Sequence, residues 1–296
     1  TEASRVWPEN ELLDDMVRII RTFRPDVIVS RWNGSATDGH GHHQFAGYLT
    51  PLAIEAAADA SQFPMQIAEG LRTWQVQRFF VGLRSAPDAA DGSTLSINTG
   101  EYDPSAGKSF FEIGMQGRSQ QKTQQMGSLE LRGSQLSLLQ LSSSSFDDSN
   151  VQQSVFDGVD TTISGLFRFE SSPSSVFSRL VLELESVTQA LLGEFDAFDP
   201  SALTPDLVRG SELAERARNA AQSPETQRLL DEKITEFETA IVLAAGVKVD
   251  ALIETETLVP GSAATVAVRS FMADDSPVRV LSARVNVPEN WTVAAS

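Results

Sequence analysis

The sequence predicts an α/β chain: a partial parallel sheet with its helices, then a helical region, then the opening of a β-sandwich module. Three observations predict it. The amphipathic stretch PENELLDDMVRIIRTFR runs into the short apolar segment 27–29 and then through a polar loop into a second helix. Between positions 176 and 245, apolar residues recur at three- and four-residue spacing in three blocks. After Gly246 the period falls to two.

In the first helix Leu12, Leu13, Met16, Val17, Ile20 and Phe23 share a face, Pro8 suits the first turn and Pro25 ends it. Val27, Ile28 and Val29 form a run expected of a strand buried on both faces. A loop over 30–41 leads into QFAGYLTPLAIEAAADA, where Pro51 is expected to kink the helix or mark its true start. In such an α/β unit, ligands bind beyond the carboxyl ends of the strands. Farther on, LRTWQVQRFFVGLR and STLSINTG read as strands and GEYDPSAGKS as a turn. GKSFFEIGMQGRSQQKTQQMG reads as a glycine-interrupted helix and the serine-rich LQLSSSSFDDSN as a surface loop. Trp74, Phe79 and Phe80 are expected in the core. The three helical blocks are 176–195, 206–221 and 224–245. VKVDALIETETLV, SAATVAVRSFM, PVRVLSARVNV and WTV read as sandwich strands. The expected divisions are 1–175, 176–246 and 247–296.

Composition narrows the chemistry. Twenty-three Lys and Arg against 40 Asp and Glu give a formal charge of −17, which disfavours a nucleic-acid partner. The absence of cysteine excludes disulfides, thiolate metal sites and a thiol nucleophile. No apolar run is long enough for a membrane span, and the first residues lack the regions of a signal peptide. GEYDPSAGKS has the wrong glycine spacing for a phosphate loop, and no G-x-S-x-G elbow accompanies Ser30 or Ser35.

All three histidines, His40, His42 and His43, fall in ATDGHGHHQFAG. His40 and His43 lie three apart, so at a helix start they project from nearly the same face and can share a metal ion or small ligand. His42 points away. Asp38 suits an outer-shell carboxylate orienting an imidazole. The competing reading is a solvated, glycine-flanked turn. Trp32 is a candidate sugar-stacking platform. Arg118 reads first as a helix-surface residue and second as a contact for a sugar or substrate carboxylate.

RPDVIVSRWNGSATDGHGHHQFAG resembles the second motif of the PIG-L/LmbE family of zinc-dependent de-N-acetylases. SINTGEYDPSAGKSFFEIGMQGRSQQKTQQMG and VFDGVDTTISGL resemble a large multidomain branch of that family. The resemblance implies a Rossmann-like catalytic domain, Zn2+ as cofactor, and an N-acetylated sugar or glycoconjugate as substrate. It makes His43 a zinc ligand and His40 the group that protonates the leaving amine or stabilises the tetrahedral intermediate, with Asp38 in place of the usual tuning carboxylate. The family's Ala-His-Pro-Asp-Asp loop, which supplies further ligands and a base, has no counterpart here, so the expectation is an N-terminally truncated and inactive piece. The appended modules imply a secreted or periplasmic location. The alternative is a noncatalytic carbohydrate- or surface-binding module.

Overall fold

The computed structural model describes residues 2–83, 93–124, 127–147, 152–259, 261–274, 276–289 and 291–294. It is a mixed α/β structure that divides into two compact units, Thr1–Val159 and Asp160–Ser296. That division falls ahead of the 175/176 boundary expected from sequence. The turn of 3-10 helix Ile163–Phe169 groups with the helical region because Leu166 is buried in its core and Phe167 meets Phe177 edge-on at 5.9 Å.

The first unit begins with α1 (Ala3–Val6), α2 (Glu9–Phe23), β1 (Val27–Ser30) and α3 (Gly41–Ala58). It continues through α4 (Pro64–Ala68), β2 (Arg78–Leu83), β3 (Thr94–Asn98), β4 (Tyr102–Asp103), β5 (Lys108–Ser109), α5 (Phe110–Ser119) and β6 (Leu136–Ser144). Four strands form one sheet in the order β1-β2-β6-β3. β1 and β2 run parallel, with Val27 opposite Arg78, whereas β6 is antiparallel to both β2 and β3. Helix α3 starts at Gly41 and carries Pro51 inside it.

Two expectations need correcting. The segment read as a serine-rich surface loop supplies residues 139–144 of β6, which lies between β2 and β3. Two neighbouring strands use its backbone N–H and C=O groups, and these pairings override the polar side chains. The strand expected to be buried on both faces is an edge strand among the described residues, and Val29 is 49% exposed. Only one of its faces is covered. Ile28, Phe79 and Val81 pack with Val17 and Ile20 of α2 and Ala53 and Ala57 of α3. Val29 and Gly82 face the opposite way, in keeping with the two-residue period of a strand. Phe23, placed on the apolar face of α2 by its spacing, is 76% exposed.

A fully buried cation ties α2 to the end of α3. The Arg21 guanidinium donates to the carbonyl oxygens of Ala56 (3.1 Å), Ala57 (3.3 Å), Asp59 (2.8 Å), Gln62 (3.0 Å) and Phe63 (3.4 Å), and to Gln66 Oε1 (3.3 Å). Carbonyls at and beyond the last turn of α3 have no partner within the helix, and a planar fork with five N–H groups satisfies several at once. Burial pulls the Arg21 pKa below its ordinary value, and the charges of Asp59 and Asp14 oppose that shift. Gln66, also fully buried, donates to the Asp14 carbonyl at 2.8 Å and to its carboxylate.

The second unit packs α6 (Ser175–Glu194), α7 (Thr204–Ala220) and α8 (Pro224–Ala244) around Phe177, Leu184, Leu213, Ala217, Leu230 and Phe237. Gly210 permits this contact, since a Cβ there would sit 2.3 Å from the Phe237 ring. Beyond α8, β7 (Lys248–Ile253) and β8 (Val266–Phe271) make an antiparallel hairpin. The described residues after Phe271 contain no strand, so the expected sandwich is represented by two strands only.

Two predictions follow from these contacts. Arg21→Met removes the second donor from the Ala56, Ala57, Asp59 and Phe63 carbonyls, which keep a backbone N–H each, takes the guanidinium from Gln62 O and Gln66 Oε1, and should lower the unfolding free energy by about 1–3 kcal/mol in urea titrations. The second concerns acid. Glu112 accepts from the Ser109 backbone N–H at 2.9 Å in a capping box and from Arg132 at 3.0 Å, and these hydrogen bonds hold its pKa below the usual value. Asp157 is lowered likewise by the amides of Gln153 and Ser154. A carboxylate with a depressed folded-state pKa contributes stability above its unfolded pKa and loses it as the pH falls through the folded value. The urea midpoint should therefore drop below about pH 4, and less steeply in Glu112→Gln.

Candidate functional site

The loop between β1 and α3 is organised by side chains that bond to its own backbone. Ser30 Oγ donates to the Trp32 carbonyl at 2.6 Å, and Asn33 Oδ1 accepts from the Ser35 N–H at 2.8 Å. Asp38 is buried, and its Oδ2 accepts from the N–H groups of Asn33 (3.0 Å) and Gly34 (2.8 Å). The carboxylate proposed to orient an imidazole is thus committed to folding the loop. The backbone carbonyl of the same residue meets the imidazole instead, with His43 Nδ1 3.1 Å from Asp38 O.

This contact determines the tautomer. A carbonyl oxygen only accepts, so Nδ1 carries the proton, and in the neutral ring the lone pair lies on Nε2. Metal-binding and base-acting histidines are commonly held by such a bond on the opposite nitrogen. The ring is also clamped sideways, because Trp32 stacks on it with centroids 3.7 Å apart and planes 9° from parallel. His43 therefore occupies one face of the indole.

The loop can approach this closely because two glycines face each other. A Cβ on Gly47 of α3 would lie 2.3 Å from Gly34 N, and one on Gly34 would lie 2.9 Å from Tyr48 N. Gly34 also has φ +84°, where L side chains are strained.

The expected pair is brought together. His40, the residue before the first turn of α3, is exposed, and its ring centroid is 5.0 Å from that of His43 at an interplanar angle of 62°. His42 turns aside and packs on Trp7 at 4.4 Å. His40, His42, Trp7 and Gln44 line an open cleft of about 650 Å³. Arg118 lies elsewhere, in a second cleft of about 750 Å³ with Arg31, Ser30 and Thr99. The two clefts share no lining residue. The Ser30 hydroxyl faces the Trp32 backbone and Ser35 Oγ faces Thr37 Oγ1 at 2.7 Å, so among the described residues neither serine hydroxyl is hydrogen-bonded to a histidine.

Catalytic zinc is normally held by three protein ligands. Among the described residues no three His, Asp or Glu side chains converge, and the carboxylate of Asp38 is occupied by amides. The two imidazoles form at most part of such a site, so the residues present do not fit a complete zinc centre.

Sequence reasoning missed Trp7, Arg31 and Gly47. Arg31 had one usable signal, its place immediately after a parallel strand. Trp7 and Gly47 had none, since their partners are defined only by the fold.

The chain matches no protein-family model, no curated protein and no solved structure.

Asp38→Ala removes the side-chain acceptor of the Asn33 and Gly34 amides and should destabilise the first unit by about 1–2 kcal/mol in thermal or urea unfolding, whereas Asp38→Asn, which keeps an acceptor, should lose less. Gly47→Ala should show a loss of about the same size through overpacking.

Proposed function

We propose that the chain carries part of a metal-dependent amidohydrolase of PIG-L/LmbE type, which removes the N-acetyl group from an amino sugar or related amide. The observation that carries this reading is the state of His43: proton on Nδ1 toward the Asp38 carbonyl, lone pair on Nε2, and His40 beside it. Its position just beyond the carboxyl end of β1 also suits an α/β enzyme. On this reading β1 and β2 belong to a Rossmann-like sheet, β7 and β8 open a β-sandwich, and the protein works outside the cytoplasm on N-acetylated glycoconjugates.

His43 would then act through Nε2, and His40, exposed at the mouth of the cleft, would hold or deliver a proton at the leaving nitrogen. A further metal ligand and a carboxylate base would have to come from outside the described residues. The incompleteness of the donor set favours a second reading, in which the unit is a noncatalytic module that binds carbohydrate or a surface.

The test compares zinc content and acetate release for the 296-residue chain and for any longer form of the protein that supplies additional His and Asp residues. The chain alone should bind zinc substoichiometrically and release no acetate. In the longer form, His43→Ala should abolish both zinc binding and acetate release. Retention of zinc in that variant would eliminate the hydrolase reading and favour the binding module.

A further inference from the structure

The second cleft has a charge character opposite to that of the chain. Its floor is the sheet face turned away from α2 and α3, reached at Val29, at Gly82 and at Leu139 of β6, which lies opposite Gly82 in the register. Phe111 and Met115 of α5 form a facing apolar wall. Two arginines complete the lining, Arg31 from the end of β1 and Arg118 from α5, and no Asp or Glu is among the described residues that line it. In a chain of formal charge −17 this is an unusual grouping.

The two guanidinium groups are also uncommitted. Arg18, Arg132, Arg209, Arg218 and Arg228 each hold a carboxylate. Neither Arg31 nor Arg118 has a side-chain hydrogen bond or ion pair with any described residue; Arg31 has only its Cζ 5.7 Å from the Trp32 ring centroid. Gly82 of β2 leaves room for Arg31, since a Cβ there would lie 3.4 Å from Arg31 Nη1. The guanidinium thus rests against the strand, beside the apolar floor.

We infer that this cleft is a binding site for a small organic oxyanion, with a phosphate or carboxylate head group held by Arg31 and Arg118 and an apolar or aromatic body lying on Val29, Leu139, Phe111 and Met115. A guanidinium matches both oxyanions through paired N–H donors, and a cavity of about 750 Å³ lies within the range of roughly 300–1,000 Å³ usual for small-ligand sites. The site stands apart from the histidine cleft, so it holds whether or not the hydrolase reading does.

Calorimetric titration of the full chain with phenyl phosphate, phenylacetate and benzyl alcohol tests it. The two anions should bind, and the neutral alcohol should bind about tenfold more weakly or not at all. Arg31→Gln and Arg118→Gln should each weaken anion binding about tenfold, and added salt should weaken it further. A preference for phenyl phosphate assigns the site to a dianionic head group, and equal affinity for the two anions assigns it to a single charge; both outcomes support the site. A second measurement avoids variants altogether: phenyl phosphate should protect Arg31 and Arg118 of the wild-type chain from modification by phenylglyoxal, mapped by mass spectrometry. Affinity for benzyl alcohol equal to that for the anions, undiminished binding in both variants, or unprotected arginines would overturn the inference.

Discussion

The candidate site depends on the absence of side chains at Gly34 and Gly47. A Cβ on Gly47 would lie within 2.3 Å of the loop backbone, well inside contact distance. With both positions bare, the loop after β1 approaches α3 closely, and Trp32 reaches the ring of His43, eleven residues farther on. Asp38 then secures the loop from below by accepting the amides of Asn33 and Gly34, and its carbonyl sets the proton on His43. One close approach of backbone to backbone therefore orders an aromatic clamp, a tautomer and the spacing of two imidazoles.

The scaffold beneath that loop is held by Arg21. Helix α3 begins at the histidines and ends in carbonyls that the buried guanidinium satisfies. Desolvation opposes the charge, and a set of hydrogen bonds from α2 to the end of α3 compensates for it. The start of α3 thus displays imidazoles on a helix whose other end is anchored to α2, and such anchoring is what a preorganised site requires.

The same sheet presents different chemistry on its two faces. One is packed by α2 and α3; the other is covered at Arg78 and Phe80 but open at Val29 and Gly82 beside α5, where apolar strand residues and two uncommitted arginines meet. Reading β1 as buried on both sides concealed this second cleft. The strand's composition is that of an interior strand, but its place at the edge exposes Val29.

Local signals determined much of the chain. The helices α2, α6, α7 and α8 and the strands β1, β2, β3, β7 and β8 lie where periodicity and proline placement put them, because burying one face of an element imposes a repeat that is visible residue by residue. The juxtaposition of His40 and His43 was legible for the same reason, as a three-residue spacing at a helix start. Tertiary structure alone decided the rest. It made LSLLQLSSS an inner strand, because hydrogen bonding to β2 and β3 acts on backbone groups that every residue carries. It gave the Asp38 carboxylate to the loop amides and joined Arg31 to Arg118 across 87 positions of sequence, since distances between segments distant in the chain are set by packing and leave no periodic trace.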